Sequence, residues 1–356
     1  MFKLHESLQA LYDIHKSYAD NVRQGPIYPT ALPQRKWSDE KMWIDFLGHR
    51  IASPLGVPAG PLLTSDWTTL AAQLGFDVVT YKTIRSQAYA GHPLPNVIFV
   101  KEDKNSPGSV VEALQTPDIA DLSITNSFGM PSMSPDFLLQ DIGKARDALQ
   151  KGQLLIVSVV GTPDFSPNLA EDFVRAASIA KDAGAQVIEA NFSCPNVTTK
   201  EGCLYNDPEN SYRIASTLVK AVHPLPVIIK VGKYSDSDLF AQVLRSLARA
   251  GVRCIAGVNS VSMRVTKDDG SPALAQDRPT SGICGDMIRE TALQWIKDAR
   301  SIIAHERLDL ELAGCGGITE VQHFDEFLEA GAKVALTATG MMWNPYLASQ
   351  WHDRGA

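Results

Sequence analysis

The sequence lacks any run rich in lysine and arginine, any C-x-x-C pair and any stretch of eighteen apolar residues. Each absence excludes a class of function. Without clustered positive charge, and with a net charge of −7, the chain offers no surface for neutralising phosphates, so nucleic acid is not an expected partner. Five cysteines, an odd number without close pairing, suggest neither a disulfide framework nor a zinc or iron–sulfur site. They fit a reducing compartment, and a cytoplasmic protein without a metal is expected. Glu6 and Asp13 interrupt the region where a secretory signal needs continuous apolar residues, and no membrane association is expected. The 44% apolar and 21% charged fractions are those of a soluble globular protein, and 356 residues suffice for a large core.

What the chain does contain is a repeated pattern: a helix-like run ends in glycine and turns within two residues into a short apolar strand. It occurs four times, at Leu74-Gly75-Phe76, Ala183-Gly184-Ala185, Ala250-Gly251-Val252 and Ala330-Gly331-Ala332. Glycine after a helix accepts the left-handed backbone that ends it, and a strand covered on both faces is apolar throughout. The four strands that follow begin at Val78, Val187, Cys254 and Val334, and four more apolar runs, 53–59, 154–160, 226–231 and 309–314, make eight. Segments with apolar spacing near 3.6 separate most of them, notably 169–183, 209–222, 236–250, 286–304 and 319–329. Eightfold alternation predicts a single (β/α)8 TIM barrel, an α/β fold, over residues 46–356, with residues 1–45 as an N-terminal helical extension.

Two segments stand outside the repeat. In residues 1–24, Leu4, Leu8, Leu11, Tyr18 and Val22 fall on one face of a helix that either packs on the barrel or docks a partner, quinone or membrane surface. Residues 99–122, with the polar run Lys101-Glu102-Asp103-Lys104-Asn105-Ser106-Pro107-Gly108, read as an inserted loop or lid.

Active sites of such barrels sit at the C-terminal ends of the strands. Glycines at Gly316-Gly317 and Thr339-Gly340, in the last two βα-loops, allow backbone N–H groups to approach an anion and point to a phosphate-bearing ligand, although each also suits a tight turn. Lys230 closes an otherwise apolar strand, a costly position unless its charge meets a partner such as a reduced flavin. A Schiff-base lysine is the competing role. Asn126, Asn191, Asn196 and Asn259 offer paired donors and acceptors that suit a pyrimidine edge, though singly each also suits a turn or cap. A thiol has an unperturbed pKa of about 8.5 and loses its proton readily enough to act as a base. Cys194, between Ser193 and Pro195, is the candidate; Cys203 is the rival, and Cys254, inside a strand, reads as a buried apolar residue.

These residues resemble one known family, the dihydroorotate dehydrogenases, and within it the soluble class with a cysteine base. Asn191-Phe192-Ser193-Cys194-Pro195-Asn196 is similar to its signature loop, and Asn126-Ser127-Phe128-Gly129-Met130-Pro131 to the segment that holds the substrate carboxylate and ring. Lys82, followed by Gly91-His92-Pro93-Leu94-Pro95, resembles the lysine and proline-rich turn between flavin and substrate. The likeness spans about residues 45–345. It implies an FMN enzyme that oxidises dihydroorotate to orotate, with Cys194 as base and Lys82 beside it as a catalytic residue. FMN would meet Ala59, Gly60, Lys82, Ser158, Asn191, Lys230, Ser260, Gly282, Gly316, Gly317, Thr339 and Gly340. The substrate would meet Lys82, Asn126, Gly129, Met130, Asn191, Asn196, Asn259 and Ser260. Ser281 and Ala338 stand where the family more often has glycine, and Val197-Thr198-Thr199-Lys200 differs from its usual glycine-containing lid. A homodimer is expected. Two other readings remain, a pyrimidine oxidoreductase of the dihydrouracil type and a flavin-binding barrel without turnover.

Overall fold

A computed structural model describes residues 10–35, 37–104, 106–193 and 204–355. In chain order the strands are β1 (Ile44–Phe46), β2 (His49–Ile51), β3 (Leu55–Val57), β4 (Val78–Ile84), β5 (Val100–Glu102), β6 (Ser109–Glu112), β7 (Ser123–Asn126) and β8 (Leu154–Val159). They continue with β9 (Val187–Asn191), β10 (Val227–Lys230), β11 (Cys254–Gly257), β12 (Val261–Thr266), β13 (Thr280–Gly285), β14 (Glu311–Cys315) and β15 (Val334–Leu336). The helices are α1 (Tyr18–Gln24), α2 (Ser65–Gln73), α3 (Pro135–Asp147), α4 (Leu169–Asp182), α5 (Pro208–Val222), α6 (Ser237–Arg249), α7 (Arg289–Glu306), α8 (Val321–Ala330), α9 (Thr339–Trp343) and α10 (Leu347–His352).

Eight strands close a parallel barrel in the order β3-β4-β8-β9-β10-β11-β14-β15, with β15 pairing back to β3. They are the eight that apolar runs predict, and a helix follows each. The four glycines of the repeat, Gly75, Gly184, Gly251 and Gly331, all have positive φ, from 87° to 124°. A side chain there would strain the left-handed turn into the next strand, so the repeat marks a backbone requirement. Inside the barrel Val78, Leu154, Ile156, Val187, Ile228, Cys254 and Leu336 pack on Phe46 and Ile51 of the β1–β2 hairpin, which plugs its floor. The larger core lies between the strands and the surrounding helices.

The segments outside the repeat depart from expectation. Residues 99–122 are not a loose loop: β5 and β6 join β12, β13 and β7 in a five-stranded sheet of order β5-β6-β12-β13-β7. Val100, Val110, Val265 and Ile283 form its buried side, and the polar run supplies the turn between β5 and β6. Within residues 1–24 only Tyr18–Gln24 is helical among the described residues. Helical spacing is overridden because the buried Asn21 amide donates to the carbonyls of Asp13, Lys16 and Ser17, holding the preceding residues in a turn. Leu11 and Tyr12 are nevertheless buried, and Leu11 N–H donates to Met342 O at 2.9 Å, so this segment packs on the barrel. Leu4 and Leu8 lie outside the described residues.

The C-terminal helix is locked to α2 by a titratable contact. His352 Nε2 lies 2.9 Å from Gly75 O, and Arg35 donates to the same carbonyl and to Asp77. Burial, with the Arg35 charge adding, pulls His352 from 6.5 down to about 4. Between those values the unfolded chain takes up a proton that the folded chain refuses, so the stabilisation present above pH 6.5 is lost as pH falls towards 4. His352→Gln keeps a donor without the titration. Its unfolding free energy should therefore fall less than that of the parent between about pH 7 and about pH 5, as urea titrations would report. Equal losses in the two proteins would refute the role.

Candidate active site

Side chains alternate along a strand, so the interior positions can be counted upward from the barrel floor. Val78, Ile156, Val187 and Ile228 face the interior. Two or four residues on, Lys82, Ser158, Glu189, Asn191 and Lys230 share that direction at the top. Register places Ser158 beside Glu189 and Asn191 beside Lys230. Above them opens a cleft lined by Ala59, Gly60, Lys82, Thr83, Asn126, Phe128, Gly129, Met130, Glu189, Asn191, Lys230, Asn259 and Ser260.

The strand-end residues are thus largely gathered at one place. Ser158 lies just beneath, bonded to Thr83 at 3.0 Å, and Gly282 pairs with Asn126 across β13 and β7. Thr339 lines an adjoining apolar cavity that shares Gly60, Lys82, Asn126 and Phe128 and is walled by Tyr12 and Tyr18. Gly316, Gly317 and Gly340 line neither cavity. Close packing alone accounts for two of them: a Cβ on Gly317 would lie 2.5 Å from the Arg289 backbone, and one on Gly340 2.4 Å from Ile318 O. Cys194, Asn196 and Cys203 lie outside the described residues.

Lys82 Nζ donates to Gly60 O at 3.1 Å and stands 5.1 Å from the centre of the Phe128 ring. Asn259 Nδ2 reaches Asn191 Oδ1 at 3.3 Å and also bonds Ser193 O, while Ser193 N–H donates to Asn191 Oδ1 at 3.1 Å. The two amides therefore brace each other and the start of the signature loop. The loop after β7 is tied to the proline-rich turn by Asn96, whose amide donates to Pro93 O and Ser127 O, and by Arg278, which donates to Pro93 O and Ser127 Oγ.

Burial alone would lower the Lys230 pKa, but neighbouring Cys315, Glu189 and Cys284 hold it above its ordinary value. Burial also raises both thiols, Cys284 to about 12. Glu189, Thr83 and Phe128 escaped the strand-end inspection. Glu189 was detectable by the reasoning applied to Lys230, a lone charge in the apolar run Val187-Ile188-Glu189-Ala190.

The site suits a polar planar ligand. Ser260 Oγ and Glu189 Oε1 are buried without a hydrogen-bond partner among the described residues, which implies a further polar group above the barrel. A Cβ on Gly60 would meet nothing within 4 Å, so protein packing does not demand glycine there, whereas close approach of a ligand would. Among the described residues no cluster of His, Cys, Asp and Glu fits a metal, and no helix is long and apolar enough to cross a membrane.

The chain is similar to known proteins. The sequence model of the family described as dihydroorotate dehydrogenase matches residues 42–353. A dihydroorotate dehydrogenase of Dictyostelium discoideum is 47% identical over 96% of each chain. The catalytic subunit of a dihydroorotate dehydrogenase B (NAD(+)) from Methanopyrus kandleri is 27% identical, covering 83% of this chain and 84% of its own. A crystal structure of the Eimeria tenella enzyme in complex with ferulenol superposes with a TM-score of 0.71 at 15% identity, covering 90% of this chain and 85% of that one, a likeness of fold. With the family model spanning most of the barrel, the chain belongs to the dihydroorotate dehydrogenase family.

Proposed function

We propose that this protein is an FMN-dependent dihydroorotate dehydrogenase of pyrimidine biosynthesis that uses Cys194 as its base, working as a homodimer in the cytoplasm. The observation that carries the reading is the single cleft in which two strand-end lysines, three asparagines and a glycine facing open space converge over the barrel. FMN, when bound, supplies the acceptor for the hydride released from C6 of dihydroorotate. Ala59, Gly60, Lys82, Ser260 and Lys230 would hold it, with Lys230 countering the negative charge of its reduced form. Asn126, Asn191, Asn259 and Asn196 orient the pyrimidine ring, and the Cys194 thiolate removes the C5 proton.

The purified protein should be yellow with one FMN per chain and should bleach anaerobically on mixing with dihydroorotate. Dihydrouracil, which lacks the carboxylate, should bleach it far more slowly. Lys230→Ala should slow bleaching more than it lowers thermal stability. A colourless protein that FMN cannot reconstitute, or bleaching by dihydrouracil alone, would overturn the proposal.

A further inference from the structure

Three residues beyond Lys82 stands a further cation that does not line the cleft. Arg85 is 4% exposed, and its guanidinium lies behind the loop whose Gly129 and Met130 line the cleft. Nε donates to Met130 O at 2.9 Å, one terminal nitrogen faces Gly129 O at 3.4 Å and the other donates to Thr162 Oγ1. The guanidinium plane also stands 3.9 Å from the centre of the Tyr89 ring. Thr162 N–H in turn donates to the buried Asp172, which accepts from Ser86 Oγ as well, so the arginine is fixed from both sides.

The loop it grips is strained. Met130 has φ 53°, in the left-handed region that a residue with a Cβ avoids, and Gly129 before it has φ 73°. Two carbonyls drawn towards one guanidinium supply a reason for that conformation. In a trans peptide the C=O and N–H point in opposite directions. With Gly129 O turned to Arg85, the Met130 N–H is turned the other way, towards the cleft.

We propose that Arg85 is a positioning residue for the substrate carboxylate: by holding the Gly129 and Met130 carbonyls behind the loop, it aims backbone N–H at an anionic group in the cleft and adds positive potential there. The inference rests on the reading of the site as a dihydroorotate site, and it selects substrates that carry a carboxylate over neutral pyrimidines.

The test titrates the FMN-loaded protein with orotate and with uracil, followed by the flavin spectrum, in the parent, Arg85→Gln and Arg85→Lys. Loss of charge-assisted hydrogen bonds to a buried loop should weaken orotate binding about 10- to 100-fold in Arg85→Gln. Uracil binding should change less than about threefold, because the lost contacts serve the carboxylate. Arg85→Lys keeps the charge but not the fork, so it should fall between the two. In steady state the KM for dihydroorotate should rise while kcat stays near that of the parent. Orotate affinity within about threefold of the parent in variants that keep FMN would overturn the proposal, as would equal weakening of orotate and uracil. Loss of FMN in both variants would assign Arg85 to the scaffold alone and overturn it too. Failure of the parent to bind orotate at all would instead remove the underlying reading of the site.

Discussion

Cys194→Ala is expected to bind FMN and orotate yet to bleach with dihydroorotate about 10²- to 10⁴-fold more slowly than the parent, the usual cost of losing a general base. Cys194 follows the part of the signature loop that the structure describes. Ser193, the last such residue, is buried, and both its N–H and its carbonyl are held by the Asn191 and Asn259 amides that line the cleft. Cys203 has no ring-binding residue beside it in sequence. Stopped-flow mixing follows bleaching without knowledge of the second substrate. Cys203→Ala should bleach like the parent, and Cys194→Ser should recover partly as pH rises, because a hydroxyl yields its proton far less readily than a thiol of pKa about 8.5. The reverse pattern, a slow Cys203 variant beside a fast Cys194 variant, would move the base to the other thiol.

The second large effect concerns the scaffold behind Lys82. Asp141 on α3 is buried and accepts three hydrogen bonds: from Ser65 N–H at 2.7 Å, from Ser65 Oγ at 2.6 Å and from Tyr81 Oη at 2.6 Å. It thus ties the start of α2 to the outer face of β4, one residue before the lysine. Burial, then the Asp141 charge, push the Tyr81 hydroxyl well above its ordinary pKa, so it remains a donor. Asp141→Ala strands these donors in the core and should lower the unfolding free energy by about 3 kcal/mol or more. Asp141→Asn keeps an acceptor and should lose less. Urea midpoints with unchanged slopes would measure both. A loss under about 1 kcal/mol in Asp141→Ala would mean that water replaces the carboxylate and that the tie carries little.

The barrel was legible because its strands are covered on both faces, which makes each a continuous apolar run, and because four helices end in a glycine that the backbone requires. The covering sheet was not. Its five strands come from residues 100–126 and 261–285 and are six residues long at most, and β5, β6 and β12 bury only one or two positions each, so they do not stand out from a polar loop. The helix expected over 1–24 had a valid apolar face, but a helical period does not register the hydrogen bonds of one buried asparagine side chain. At the site, strand ends and the family resemblance together directed attention to ten residues that line one cleft. The glycines of the last loops were harder to read, since close packing against Arg289 and Ile318 asks for the same residue as a phosphate would. Nothing in the sequence singles out Arg85, because the two carbonyls it holds come from more than forty positions away.

The pairing of β15 with β3, Ala335 with Leu55, also bears on how the molecule is made. Until the last barrel strand is synthesised, β3 and β14 are open edges of a sheet that is apolar on both faces, the kind of surface that invites pairing with another chain. Asn126 likewise gains its partner on β13 only when residues 280–285 have emerged. Such distant pairings slow folding, because loop closure must be completed before the contacts that reward it. The emerging polypeptide therefore carries its greatest association hazard late in translation, with the Asn126 wall of the cleft among the last parts to take shape.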